Sequence, residues 1–223
     1  MSTTPGGAVA DLFRKQRGGD SIEAFSTGAA LLPGFADSLA TELVEEVHRI
    51  AMVAPFRGMT TPGGHAMSVT TTSCGNGGWV SDKSGYRYVR VDPQTGRPWP
   101  PMPELFLDLA QRAASKAGFP VFAPDACLIN RYEPGAKMSL HQDRNERDYS
   151  QPIVSVSLGL PAVFLFGGLT RSERPRRLPL EHGDVVVWGG PSRMVFHGVE
   201  PVMQGQHPLT GACRINLTFR KAL

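Results

Sequence analysis

The sequence predicts an α+β protein in which a jelly-roll-like β-barrel fills the carboxy-terminal half and helices from the amino-terminal half cover it. Three observations predict this. Two early stretches carry apolar side chains at helical spacing. From about residue 125 onward the chain breaks into short runs rich in Val, Ile, Leu, Phe and Tyr, separated by Gly, Pro and Asp. The last of these runs alternates strictly between apolar and polar residues. At 223 residues the chain can bury a large core, and no linker-like stretch divides it, so a single domain over 1–223 is expected.

The elements follow in chain order. Residues 37–50, D-S-L-A-T-E-L-V-E-E-V-H-R-I, place Leu39, Leu43, Val47 and Ile50 three and four apart, with Asp37 as the expected N-cap. A second helix over 103–116 opens on Pro103, carries Leu105, Phe106, Leu109, Ala110 and Ala113 on one side, and meets Gly118 at its end. Strands are expected near 66–72 and 85–91, followed by the Pro-rich loop D-P-Q-T-G-R-P-W-P-P-M-P. The barrel strands are C-L-I-N-R-Y, I-V-S-V-S-L-G-L, A-V-F-L-F, D-V-V-V-W and C-R-I-N-L-T-F-R. No internal repeat interrupts them.

Composition excludes several classes. Cys74, Cys127 and Cys213 are scattered and form no C-x-x-C pair, which argues against a disulfide framework and a structural zinc site. Apolar runs are too short to span a bilayer, so no membrane association is expected. The amino terminus reads without the basic and apolar regions of a leader, so a cytoplasmic protein is expected. A net charge of +3 is too mild to identify a nucleic-acid binder. Arg171, Arg174, Arg176 and Arg177 crowd into R-S-E-R-P-R-R, read as a solvated loop because of Pro175.

The chemistry concentrates in two places. In C-R-I-N-L-T-F-R, Cys213, Ile215, Leu217 and Phe219 share one face, and Arg214, Asn216, Thr218 and Arg220 the other. If the polar face lines a barrel interior, its two guanidinium groups need anionic partners, which a small dicarboxylate would supply. Leu128, Asn130 and Tyr132 share a face of C-L-I-N-R-Y and offer the same ligand an amide and a phenol. In S-L-H-Q-D, His141 and Asp143 stand two apart; on a strand they leave one face and could converge on a metal ion. Chemistry alone leaves a third ligand open among His182 in a turn, His207 in a loop and His197 in the strand-like M-V-F-H-G-V.

L-I-N-R-Y-E-P-G-A-K-M-S-L-H-Q-D, P-I-V-S-V-S-L-G-L-P-A-V-F-L-F-G-G-L, L-E-H-G-D-V-V-V-W-G-G and C-R-I-N-L-T-F-R resemble the AlkB family of Fe(II)- and 2-oxoglutarate-dependent dioxygenases. T-P-G-G-H-A-M-S-V and D-P-Q-T-G-R-P-W-P extend the resemblance, which runs from about residue 30 to 221. It implies a double-stranded β-helix core and a nucleotide-recognition lid over about 55–100. Residues 1–25 lie outside it and are expected to be flexible.

What the resemblance implies for the site is specific. His197 completes a facial triad with His141 and Asp143, leaving three positions on Fe(II) for 2-oxoglutarate and O2. His182 and His207 revert to structural roles. Arg214 and Arg220 clamp the carboxylates of 2-oxoglutarate, and Asn130, Tyr132 and Asn216 complete that pocket. Trp79, expected on a mobile Gly-rich loop, and His141 sandwich the target base, while Tyr86 and Arg171 hold the nucleotide backbone. The implied reaction is oxidative demethylation of 1-methyladenine or 3-methylcytosine in DNA, preferably single-stranded, or in RNA, by a monomer. One residue departs from the pattern: where the family usually carries a second aspartate two residues after the metal-binding one, this chain has Asn145. A 2-oxoglutarate oxygenase acting on a protein or small molecule is the alternative. A non-catalytic binding module is disfavoured because triad and clamp are complete.

Overall fold

The computed structural model describes residues 21–223. Both helices form where the apolar spacing places them. α1 (Ala40–Val53) buries Ala40, Leu43, Val44, Val47 and Ile50, and α2 (Glu104–Lys116) buries Phe106, Leu109, Ala110, Ala113 and Ala114. Asp37 does not cap α1. It opens a 3-10 turn, Asp37–Leu39, and Leu39 takes the N-cap position without a side-chain bond. Pro103 is the N-cap of α2, just outside the first turn. At the other end Gly118 adopts φ 90°, and the Phe119 N–H reaches back to the Ala114 carbonyl at 2.8 Å, which closes the helix.

Two sheets face each other. The larger runs in the order β1 (Glu23–Ser26), β2 (Ala29–Leu32), β12 (Val185–Trp188), β9 (Ile153–Gly159), β14 (Arg214–Arg220), β7 (Ala126–Tyr132), β4 (Ala66–Gly75), β3 (Arg57–Thr60). The smaller runs β11 (Arg176–Leu180), β10 (Ala162–Phe166), β13 (His197–Val199), β8 (Met138–His141). Ile153, Val186 and Trp188 from the larger sheet pack with Phe164, Phe166, Leu178 and Val199 from the smaller one. α1 and α2 cover the outer face of the larger sheet, where Ile129, Val154, Val156, Ile215, Leu217 and Phe219 meet them. Phe106 of α2 sets its ring edge-on to Phe219 at 5.9 Å.

Local readings are corrected in three further places. Glu23–Ser26, which begins inside the 1–25 stretch expected to be flexible, pairs antiparallel with β2, while residues 1–20 lie outside the described residues. Arg176 and Arg177 are strand residues of β11, because that segment finds β10 as a partner; Arg171 and Arg174 stay in the loop before it. Trp79 lies on a strand, not a loop. β5 (Gly78–Asp82) and β6 (Gly85–Val89) form a separate two-stranded hairpin. Gly78 lies flat on the Trp99 ring, where any Cβ would collide, so that glycine serves packing and not mobility. Of the 55–100 stretch, β3 and β4 belong to the larger sheet, and the hairpin rests on a small cluster of Ala54, Met59, Val80 and Trp99. Among the described residues no helix is long and apolar enough to cross a membrane.

Candidate active site

The inner faces of three adjacent strands build a polar wall. Antiparallel register sets Asn216 beside Asn130 of β7 and Ser157 of β9, and Thr218 beside Leu128 and Ser155. Because side chains alternate, the residues that point away from the helices are the polar ones the sequence singles out. Arg214 is 1% exposed. Its Nη2 donates to Ser157 Oγ at 3.0 Å and its guanidinium lies over the Tyr132 ring at 5.0 Å, yet Nε and Nη1 are buried without a partner. Burial lowers its pKa from the ordinary arginine range, with Tyr132 opposing. A buried cation with two idle donor groups is a built receptor for an anion. Asn216 Nδ2 bonds Ser155 Oγ at 2.8 Å and the Val156 carbonyl at 3.0 Å, which orients its oxygen toward Thr218 and Asn130.

Opposite this wall, His141 on β8 and His197 on β13 are cross-strand partners, with ring centroids 4.4 Å apart. Contrary to expectation, Asp143 does not share a strand with His141; β8 ends at His141 and the carboxylate comes from the following loop. It still reaches the same point. Asp143 Oδ1 lies 3.7 Å from His141 Nε2 and Oδ2 lies 3.7 Å from His197 Nε2, and the three ligand atoms fall within 4.8 Å of one another. Each histidine Nδ1 sits on a backbone carbonyl, Ser139 at 2.9 Å and Val195 at 3.1 Å. A carbonyl only accepts, so Nδ1 carries the proton and Nε2 presents its lone pair to the shared point. Burial, and then His141, push the His197 pKa down to about 3 against the pull of Asp143. His197 is thus a neutral donor at ordinary pH. Two imidazoles and a carboxylate on one side of a point fit a divalent iron.

Burial alone would raise the pKa of Asp143; Arg220 and then the two histidines overcome it and hold the carboxyl well below the usual range. Arg220 donates to Asp143 Oδ2 twice, from Nε at 2.8 Å and Nη2 at 2.7 Å. It also reaches Glu146 at 3.4 Å and the Tyr88 hydroxyl at 3.2 Å. Glu146 accepts from Tyr88 at 3.0 Å and pairs with Arg193 at 3.3 Å, and Arg193 Nη1 donates to the Asp143 carbonyl at 3.2 Å. Two buried carboxylates thus meet two buried guanidiniums, while Arg214 has no carboxylate partner among the described residues.

The more open wall carries the aromatic residues. Trp79 and Tyr86 stack across the hairpin at 5.6 Å with planes 16° apart. Trp79 Nε1 donates to Asn145 Oδ1 at 3.3 Å, and Asn145 Nδ2 donates to the Tyr86 carbonyl at 3.2 Å. Arg171 is exposed and lies over Phe196 at 5.9 Å. All twelve residues singled out from the sequence line one cavity of about 520 Å³. His182 and His207 do not; they stack on each other at 4.2 Å, and His182 Nδ1 accepts the Gly159 N–H.

The profile of the 2OG-Fe(II) oxygenase superfamily matches residues 28–220. The chain is 58% identical over 200 residues to the alpha-ketoglutarate-dependent dioxygenase AlkB of Escherichia coli (strain K12), a match spanning 90% of this chain and 93% of that one. The chain belongs to the AlkB family. A more distant AlkB relative, the DNA N(6)-methyladenine demethylase ALKBH1D of Arabidopsis thaliana, is 42% identical over 114 residues, 45% of this chain and 25% of that one. The solved structure of OsALKBH1 superposes with a TM-score of 0.80 at 28% identity, covering 90% of this chain and all of that one. With the triad in place, AlkB membership makes this an Fe(II)- and 2-oxoglutarate-dependent dioxygenase using O2.

Tyr88, Glu146 and Arg193 escape the sequence reading. Tyr88 follows Tyr86 by two and faces the same way, and Glu146 follows Asp143 by three, so weak local signals exist for both. Arg193 has none, because its partners come from across the fold.

Proposed function

We propose that this dioxygenase removes methyl groups from ring nitrogens of nucleic-acid bases, 1-methyladenine and 3-methylcytosine in DNA, with RNA as a second polymer. The observation that carries the reading is a single cavity joining the His141, Asp143, His197 cluster to a buried anion receptor and to an aromatic hairpin. His141, Asp143 and His197 hold the iron. Arg214, with Asn130, Tyr132 and Asn216, takes 2-oxoglutarate, and Arg220 serves that pocket while it steadies Asp143. When bound, iron and 2-oxoglutarate supply the oxidation: one oxygen atom of O2 enters succinate as CO2 leaves, and the other hydroxylates the methyl group, which departs as formaldehyde.

The chain's own contribution is placement. A stacked base cannot reach the triad, so the target must be single-stranded or flipped, and flipping costs least where methylation has already broken the pair. Trp79 offers a π face, with His141 on the other side of the base. Tyr86 and Arg171 stand outside, where phosphates would pass, and Asn145 meets the base edge. The proposed unit is a monomer working in the cytoplasm, with residues 55–100 as its lid. Formaldehyde release from single-stranded oligonucleotides carrying one lesion, run against a methylated peptide, tests the reading. Release from the peptide alone would overturn it.

A further inference from the structure

The hairpin belongs to neither large sheet, yet one of its side chains enters the buried charge cluster. Asp143 is held in a closed ring: its carboxylate takes two bonds from Arg220, Arg220 reaches Glu146, Glu146 pairs with Arg193, and Arg193 returns to the Asp143 carbonyl. Every member of that ring comes from the barrel and its turns. Tyr88 of β6 is the addition. Its hydroxyl donates to Glu146 and accepts from Arg220 Nη1, the one guanidinium nitrogen not given to Asp143 or Glu146. Tyr86 and Tyr88 are two apart on one short strand and leave the same face of it.

Resting on the reading above, we infer that Tyr88 is a positioning residue that couples occupancy of the base site to the metal site through Arg220. A nucleotide taken with its base against Trp79 and its backbone at Tyr86 fixes the hairpin and with it the Tyr88 hydroxyl. A metal taken by Asp143 fixes Arg220 from the other side. The two events meet at one hydrogen bond, and linkage makes the effect mutual: whatever metal does for oligonucleotide affinity, oligonucleotide does for metal affinity. Removing the hydroxyl leaves the barrel ring intact, since Arg220 and Glu146 still face each other at 3.4 Å. Tyr88→Phe should therefore cut the link without emptying the site.

The experiment measures binding without turnover, using Mn(II) in place of iron. Affinity for a fluorescent single-stranded oligonucleotide bearing one 3-methylcytosine is compared between metal-free protein and protein loaded with Mn(II) and 2-oxoglutarate. Loading should tighten binding about 5–20-fold in the parent and leave it within two-fold in Tyr88→Phe. Mn(II) affinity without oligonucleotide should stay within two-fold of the parent. An equal factor in both proteins, or no factor in the parent, overturns the coupling. No preference of the parent for the methylated strand over its unmethylated twin would instead remove the demethylase reading, and this inference with it. A second measurement needs no variant: in the parent, Mn(II) with 2-oxoglutarate should slow amide exchange over Gly85–Val89, and unchanged exchange there overturns the inference.

Discussion

Arg220 spends two of its nitrogens on a single oxygen of Asp143, at 2.8 and 2.7 Å, while Arg214, six residues earlier on the same strand face, has two nitrogens with no partner. Two arginines that look equivalent in the sequence therefore do different work. Arg214→Ala should raise the KM for 2-oxoglutarate and leave Mn(II) affinity as it was. Arg220→Ala should weaken both, and lower kcat/KM for 2-oxoglutarate by about 2–4 kcal/mol, the scale of losing a charge-assisted pair from a buried site. Metal titration alongside steady-state kinetics reads both. Identical effects of the two substitutions would show that the division is wrong.

His197 makes the metal-free protein acid-sensitive in a defined direction. Its folded pKa is about 3 against 6.5 for the free imidazole, so between these values the unfolded chain binds a proton that the folded one refuses. The stability this contributes is complete above pH 6.5 and is lost as pH falls toward 3, at up to about 1.4 kcal/mol per pH unit. Thermal unfolding from pH 7.5 to 4.5, with chelator present, should show a steeper fall in the parent than in His197→Asn. Equal slopes would place the titration elsewhere.

Trp79 is half-buried, packed against the edge of the small Val80 and Trp99 cluster, stacked on Tyr86 and bonded to Asn145. Trp79→Ala should weaken oligonucleotide binding by about 1–3 kcal/mol, leave 2-oxoglutarate turnover without nucleic acid unchanged, and barely move the melting temperature. Loss of folding would mean that the indole is a core residue after all.

Asn145 is committed to the hairpin at both ends of its amide. Trp79 Nε1 can only donate, so the Asn145 oxygen must face it and the nitrogen must face the Tyr86 carbonyl. A neutral amide here gives up the Coulomb attraction that a carboxylate exerts on cationic lesions, and a flatter lesion preference than is usual for the family should follow. Asn145→Asp should raise the ratio of kcat/KM for 3-methylcytosine over 3-methylthymine by about 1–2 kcal/mol. The exchange also sets a carboxylate against the Tyr86 carbonyl, so total oligonucleotide affinity should drop. An unchanged ratio would show that residue 145 fastens the hairpin and does not read the base.

The legible parts of the molecule are those in which one strand carries its own period. Alternation in β14 and β7 separates the residues facing α1 and α2 from those facing the cavity, and the packing of Ile215, Leu217 and Phe219 in the helix-side core follows that alternation. The helices are legible for the same reason at a period of 3.6. The rest depends on partners remote in sequence. β1, β2 and β11 are short strands that exist because a neighbour offers a ladder. The end of β8 before Asp143 left no local mark, and Arg193 is an ordinary surface arginine until Glu146 and Asp143 surround it. The resemblance supplied His197, which chemistry alone did not separate from His182 and His207.

The two-faced character of Arg214–Arg220 has an implication for tolerance to change. No position on this strand faces open solvent; all seven are buried. Substitutions at Ile215, Leu217 and Phe219 open holes against α1 and α2, so they should lower the amount of folded protein in a cell while each surviving molecule works normally. Substitutions at Arg214, Asn216, Thr218 and Arg220 fall on the cavity side, where they should spare abundance more often than activity. A saturation scan reporting abundance and repair separately would then show two profiles of period two, offset by one residue, along a single seven-residue segment.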